Sequence, residues 1–497
     1  MIRTYWNQIM ENQEVRQNLS RLRQELKKDG NRARMIHVIE GNEDRLADLL
    51  NAEDAKTRKN AALLMGDLGK QEFLQPVYNA YEKEQQRFAR SSYLTAMRNF
   101  DCKDHLEMLK ARLEVLSAEK PETENEKHMM EEMRELTSLI VGTEGVSQHC
   151  FTGWDESYDV ILLTNRNFAE VTKTELEELE PGASTRIFGA GVRAKVENLR
   201  WVRDLRTYQE LLFVIRGMAS CRMDAAKAAE TIVASDFLNF LNRSHSGKEP
   251  YYFRVEFKSK RPLDEKSAFV KKLSGQIEKL SGRKLINTTS NYEVELRLIE
   301  NKEGNCNLLV KLFTLKDDRF SYRREVIPMS IRPVNAALTV ALAKEYMKKD
   351  AQVLDPFCGV GTMLIERHKA VAAGSSYGLD ILEEAVDKAK INSEAAHQVI
   401  HYINRDFFRF THEYLFDEVI TNMPFKMGRT TEDDILELYG HFFRSVKQYL
   451  KENATLILYS HNRDHIRQMA GRNGFKVMKE CEISKKEGTY VCVLGSV

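Results

Sequence analysis

The sequence predicts a multidomain chain: a helical N-terminal region, two α+β segments, and a C-terminal doubly wound α/β domain. Three observations carry the prediction. At 497 residues the chain exceeds what one ordinary core buries, and the usual domain size makes about three or four units the starting expectation. Over roughly the first 140 residues apolar positions recur at three and four spacing with almost no proline, the helical period. Beyond that the pattern alternates between strand-like and helix-like stretches, and after Pro333 it becomes a regular strand–helix series.

Composition narrows the class. Lys+Arg number 75 and Asp+Glu 74, so the chain is not a basic nucleic-acid coat, and any basic face is local. Plentiful charge with only nine prolines suits a folded, helix-rich cytosolic protein rather than a disordered one. The seven cysteines are dispersed and form no CxxC pair, which argues against a disulfide framework and a cysteine zinc site; no metal is expected. No apolar run is long enough to cross a bilayer, and the opening MIRTYWNQIMENQEVRQNLS has no signal-peptide core. The expected location is the cytoplasm, with no membrane partner.

In the helical region, KTRKNAALLMG from Lys56 and FARSSYLTAMR from Phe88 align at an offset of 32 residues, with Arg58 matching Arg90. Self-similarity at this period marks an α-solenoid. Residues 1–147 resemble HEAT-type repeats, a surface suited to a protein partner; a generic helical bundle is the alternative. The acidic stretch 117–135 leads out of the region.

Strands are expected over 158–163, 192–196 and 211–215, with an amphipathic helix over 167–179. The idea repeats with strands over 251–257, 292–299 and 307–313 and a helix over 267–280 that Gly282 stops. Between Arg254 and Lys284 ten cations face four acids. That suits a phosphate-binding face, although lysines on a helix are more often simply solvated. A helix over 336–346 then precedes strands over 352–355, 376–380, 400–406, 418–422, 455–460, 476–480 and 489–494, with helices between them.

The chemistry concentrates in this last series. In DPFCGVGTMLIE a strand ends at Asp355, a glycine turn follows, and a helix begins near Thr362. Gly359 and Gly361 permit close backbone approach, and a helix start offers free N–H groups. No lysine follows, so this is not the GxxxxGK[ST] phosphate loop, and a lone GxG is weak by itself. Asp380 ends the next strand, where an acid takes two ribose hydroxyls, and Asp406 ends the third. The fourth ends in TNMPF: Asn422, Pro424 and Phe425. Single strand-end acids are often surface caps; several in register face the crevice where open α/β sheets bind ligands.

DPFCGVGTMLIE together with TNMPF resembles the S-adenosylmethionine-dependent methyltransferases of amino groups, and its DPFCGxGT wording is similar to the THUMP-domain RNA guanine-N2 methyltransferases. The resemblance covers about 155–497: a ferredoxin-like unit over 155–235, with DLRTY from Asp204 matching its linker, a THUMP domain over 236–324, and a Rossmann-like methyltransferase over 325–497. It implies S-adenosylmethionine as cofactor. Asp355 and the turn Phe357, Cys358, Gly359 and Gly361, leading into Thr362, would cradle the methionine part. Asp380 would take the ribose, and Asp406 with Phe407 would sit by the adenine. Ser330-Ile-Arg332-Pro333 matches the family's (A/S)-(L/I)-R-P segment, with Arg332 a candidate for the carboxylate. The implied substrate is RNA, above all tRNA.

On that reading TNMPF clamps a flat ring bearing an NH2 group. An exocyclic amine is a poor nucleophile because its lone pair is delocalised, so it must be held in line with the methyl donor. The Asn422 oxygen accepts one N–H, a backbone carbonyl beside Pro424 the other, and Phe425 offers a stacking face. Many relatives carry Asp where Asn422 stands and Gly directly after the aromatic. The target therefore stays open between guanine in tRNA and another amino substrate, such as ribosomal RNA, DNA adenine or a protein amide. A non-enzymatic RNA-binding scaffold is the third reading.

Overall fold

The computed structural model describes residues 1–28, 30–119, 125–144, 149–247, 249–426, 428 and 430–496. The chain divides into two compact units, one formed by the N-terminal 148 residues and one by the remainder, the loop Thr288–Asn291 apart. The boundary expected at residue 147 and part of the acidic stretch lie outside the described residues.

The first unit is all helical among the described residues. Its long helices Ala55–Leu68 and Arg87–Met97 bury Met65 and Met97, matched in the 32-residue offset. They pack so closely that a Cβ on Gly66 would come within 2.6 Å of the Ala96 backbone. Arg58 and Arg90 do equivalent work. Each donates to the carbonyl six residues before it, Ala52 at 2.8 Å and Glu84 at 2.9 Å, and each reaches an acid on a later element, Glu84 and Glu132 respectively. The likeness in sequence is a likeness in bonding.

The second unit contains a nine-stranded sheet and a seven-stranded sheet. The expected strands of both α+β segments belong to the nine-stranded sheet, which runs continuously across residue 235 through the pairing of Phe213 with Val310. Helix Ala225–Ala234 packs on helix Leu263–Leu280, which starts a turn earlier than its apolar period suggests because Pro262 precedes it and Asp264 and Glu265 suit its first turn. Gly282 follows it at φ +59°, as a helix stop requires. The basic run is thinner at the surface than its count implies. Arg254 grips Glu295 and lies 4.3 Å from the Tyr292 ring centre, and Arg261 grips Glu300.

The seven-stranded sheet carries the motifs. Its strands are β1 (Gln352–Asp355), β2 (Ser375–Asp380), β3 (His401–Asn404), β4 (Phe416–Asn422), β5 (Leu450–Ser460), β6 (Phe475–Ser484) and β7 (Thr489–Ser496). They lie in the order β3-β2-β1-β4-β5-β7-β6, all parallel except β7, which runs antiparallel to both neighbours. Helices α1 (Pro333–Ala343), α2 (Thr362–Ala370), α3 (Glu383–Ala395), α4 (Glu432–Val446) and α5 (Arg463–Arg472) complete the doubly wound fold. Strand direction reverses its lateral progress between β1 and β4, so Asp355 and Asn422 end neighbouring strands at the switch point, where such sheets bind ligands.

Two polar clusters set this geometry. Arg367 on α2 and Glu418 on β4 form a bidentate ion pair with both side chains fully buried, Nε to Oε2 at 3.0 Å and Nη2 to Oε1 at 2.7 Å. The Lys348 carbonyl accepts from Arg367, and the Lys348 N–H donates to Glu418. On the neighbouring position of α2, Glu366 is also buried. It receives Arg206 at 2.7 and 2.6 Å and the Tyr322 hydroxyl at 2.6 Å, joining α2 to segments that flank the nine-stranded sheet. Arg206 also donates to the Arg319 carbonyl at 2.8 Å, and the Arg319 guanidinium lies over the Tyr208 ring, 3.4 Å from its centre.

Arg367→Ala leaves Glu418 charged, buried and unpaired, which costs about 3–5 kcal/mol. Chemical denaturation followed by a probe in the C-terminal domain should show its transition displaced by that amount.

Candidate active site

All the motif residues except Arg332 and Gly361 line one cavity of 490 Å³ at the C-terminal ends of β1, β2 and β4. The walls are mostly apolar, with Phe357, Phe407 and Phe408 on one side and the strap 327–331 on another.

The glycine turn is shaped by what surrounds it. Gly361 sits at φ +80° and caps α2; a Cβ there would come within 2.2 Å of the Tyr402 hydroxyl. Gly359, at φ +51°, would meet nothing within 4 Å. Its missing side chain leaves the cavity open against the backbone, the condition a closely bound ligand requires. Asn392, wholly buried on α3, ties the turn to the strap: its amide donates to the carbonyls of Val360 and Glu325, both at 3.0 Å, and its oxygen accepts from Glu325 N–H at 2.9 Å.

Asp355 and Asp380 end their strands, but β3 stops at Asn404, short of the expected end at Asp406, which instead caps the turn Phe407–Arg409; each of the three acids holds backbone as well as facing the cavity. Asp380 accepts the N–H groups of Gly359 at 2.9 Å and Leu382 at 3.0 Å. Asp406 accepts Phe408 N–H at 3.0 Å, and Asp355 accepts Phe357 N–H at 3.1 Å. Burial pushes the Asp355 carboxyl up to about 7, outweighing the hydrogen bonds that lower it, and the nearby Asp380 charge adds only a smaller push. Burial also holds the Cys358 thiol well above its ordinary range, so it is no nucleophile. The buried Thr362 hydroxyl, on the cavity wall, has no hydrogen-bond partner among the described residues.

Asn422 closes the cavity on the other side. Its side-chain amide makes no hydrogen bond among the described residues, nor does the carbonyl of Met423, while Met423 N–H donates to Tyr459 at 2.9 Å. The Pro424 carbonyl, by contrast, is occupied by the Tyr439 hydroxyl at 3.0 Å, itself 2.9 Å from Ser460. Phe425 is half-buried, and His461 covers it from one side with ring centres 4.3 Å apart. His461 Nδ1 lies 3.1 Å from the Glu487 carbonyl, which sets it as the donor. Tyr439, His461 and Asn392 escape sequence reasoning because each acts across the fold on a motif distant in the chain. Arg332 lies outside the lining, 70% exposed, with Glu487 at 4.0 Å. Of Lys426-Met-Gly428, Lys426 is exposed and residue 427 lies outside the described residues.

The domain that carries this cavity is similar to known methyltransferases. Residues 321–489 match the model of the family UPF0020, described as an RMKL-like methyltransferase domain. The tRNA (guanine(10)-N2)-dimethyltransferase of Pyrococcus abyssi is 30% identical over 168 residues, 33% of this chain and 47% of that protein. The chain thus spans about half the length of that curated relative. Two crystal structures share the fold. TrmN from Thermus thermophilus has a TM-score of 0.53 at 18% identity, covering 69% of this chain and all of that one. A "predicted N6-adenine-specific DNA methylase" from Listeria monocytogenes has a TM-score of 0.53 at 16% identity, covering 68% and 96%.

Because the Asp355 carboxyl lies above its ordinary 3.8 in the fold, the native state binds the extra proton. Its stabilising contribution is complete below pH 3.8 and is lost as pH rises through about 7. That window is worth up to roughly 4 kcal/mol in the ligand-free protein. Denaturation midpoints of the C-terminal domain measured across it should fall with pH in the wild type and flatten in Asp355→Asn.

Proposed function

We propose that the C-terminal domain transfers a methyl group from S-adenosylmethionine to an exocyclic amine of an RNA base, specifically the N2 amine of a guanosine in tRNA. The observation that carries this is the convergence on one cavity of a glycine turn, the strand-end acids Asp355 and Asp380, the turn-capping Asp406 and the Asn422–Phe425 clamp. The guanine and tRNA assignments draw support from the archaeal relative's name.

The residues fit the cofactor. A cavity of 490 Å³ is of the size that small-molecule sites take. Gly359 opens its wall, and among the described residues the buried Thr362 hydroxyl has no partner and the buried Asp355 carboxyl has no cation that would keep it ionised. Asp380 would hold the ribose diol; Asp406, Phe407 and Phe357 would hold the adenine; Ser330 and its strap would close over the methionine end. When bound, the cofactor supplies a methyl on a cationic sulfur, a leaving group needing no acid catalysis.

The chain's own residues prepare the amine. Asn422 Oδ1 and the Met423 carbonyl, both without partners among the described residues, accept its two N–H groups and turn the nitrogen lone pair towards the donor. Phe425 supports the ring on the face that His461 leaves free. Tyr439 fixes the Pro424 carbonyl and so the angle of the turn. No strong base is needed, because the proton can leave after the methyl has moved. Residues 236–324 serve as a THUMP RNA-binding module, 155–235 as its ferredoxin-like companion, and 1–147 as a HEAT-like surface for a protein partner, in the cytoplasm.

Incubation with labelled cofactor and tRNA, followed by nucleoside identification, tests the reading. N2-methylguanosine supports it; N6-methyladenine keeps the clamp and moves the substrate; no methylated acceptor overturns it. Asn422→Ala should lower kcat by about 10²–10³-fold with cofactor affinity by calorimetry nearly unchanged. Tyr439→Phe, which loosens the turn without touching substrate, should lower kcat roughly tenfold and likewise spare cofactor binding.

A further inference from the structure

The nine-stranded sheet ends in a hairpin that the methyl-transfer site does not use. Its strands are Ser184–Phe188, at the sheet edge, and Gly191–Val196. Beside it lies a groove of 530 Å³ whose charged lining is Arg193, Lys195, Arg216 and Arg243 against Asp159 and Asp236. Both acids are taken: Asp159 accepts Arg193 Nε at 2.9 Å, and Asp236 accepts Arg243 at 2.8 Å. Lys195 and Arg216 have no ion-pair partner among the described residues.

The excess of positive charge continues along the hairpin. Arg186 lies directly opposite Arg193 in the antiparallel register, and like charges so placed destabilise a sheet. Arg186 has no ion-pair partner among the described residues either. Two residues on, Phe188 falls on the same face of its strand. It faces Gly191, which has no side chain to cover it, and is 38% exposed. Arg186, Arg193 and Lys195 lie along the two hairpin strands and Arg216 just beyond strand Glu210–Phe213, a spread instead of a single point, which suits a chain of phosphates better than a single one. An open aromatic beside such a row is the pattern that binds unpaired nucleic acid.

We propose that this hairpin and groove bind the sugar–phosphate backbone of an unpaired RNA segment, with Phe188 stacking on a base. The inference rests on the reading of the chain as an RNA methyltransferase and locates a contact away from the methylated nucleotide. Lys195 and Arg216 neutralise phosphates; they add affinity without reading sequence.

Binding of bulk tRNA to the full chain, measured against salt concentration, tests it, with methylation of the same tRNA assayed in parallel. Lys195→Gln and Arg216→Gln should each weaken binding roughly threefold to tenfold at low salt and reduce the log–log salt slope by about 0.7–0.9. Phe188→Ala should weaken binding and leave the slope unchanged. In all three, kcat at saturating RNA should match the wild type, because none touches the catalytic cavity. Lys476→Gln, on β6 of the other sheet, should leave both affinity and slope unaltered; an equal loss there would mean that net charge alone is at work and would overturn the groove. If the wild type methylates tRNA while the three variants bind it normally, the groove is refuted and the methyltransferase reading stands. If the wild type neither binds nor methylates RNA, both fall.

Discussion

The geometry of the C-terminal domain depends on the ion pair between Arg367 and Glu418. Both groups are fully buried, so each would be costly alone; their fork-to-fork contact and the Lys348 backbone leave little of either charge unmatched. Its position matters more than its strength. Arg367 stands on the helix that begins at the glycine turn, and Glu418 on the strand that ends in Asn422. The wall that would hold the cofactor and the clamp that would hold the amine are therefore parts of one rigid body. Methyl transfer requires an aligned approach, and small misplacements are expensive; a bidentate buried pair resists sliding in a way that apolar packing does not.

The carboxylates around the cavity show a second economy. A strand-end aspartate reads from sequence as either a cap or a ligand group. Asp380 at its strand end is both at once, and Asp406, at the head of the short turn after β3, does the same: each holds backbone N–H groups while lining the cavity. Asp380 in particular receives Gly359 N–H, so the acid proposed for the ribose also sets the turn proposed for the methionine end. Replacing it would disturb two contacts through one side chain.

Much of this was legible in the sequence because the parallel domain is written in local signals. Strand β1 spans the residues its apolar run marks, and β2 and β4 end at Asp380 and Asn422 as read. Illegible parts share a physical cause. Strand Ser184–Phe188 is almost wholly exposed, so it has no buried face to create alternation. Strands Ser220–Arg222 and Leu285–Asn287 are too short for a period to show. Tyr439 and His461 contribute through contacts 15 and 36 residues away from the motif residues they support. The basic count over 254–284 misled in the opposite direction, since Arg254 and Arg261 are occupied by glutamates from a neighbouring strand.

The junction of Arg206 and Tyr322 with Glu366 has a consequence for how a target would be chosen. Glu366 adjoins Arg367 on the same helix, so the helix that begins at the glycine turn is tied directly to the segments flanking the other sheet. On the proposed function, RNA held on that sheet meets the methyl donor at a set separation. Selection then works as a ruler: the nucleotide modified is the one that the shape of the RNA delivers to the end of a fixed span, whatever its neighbours in sequence.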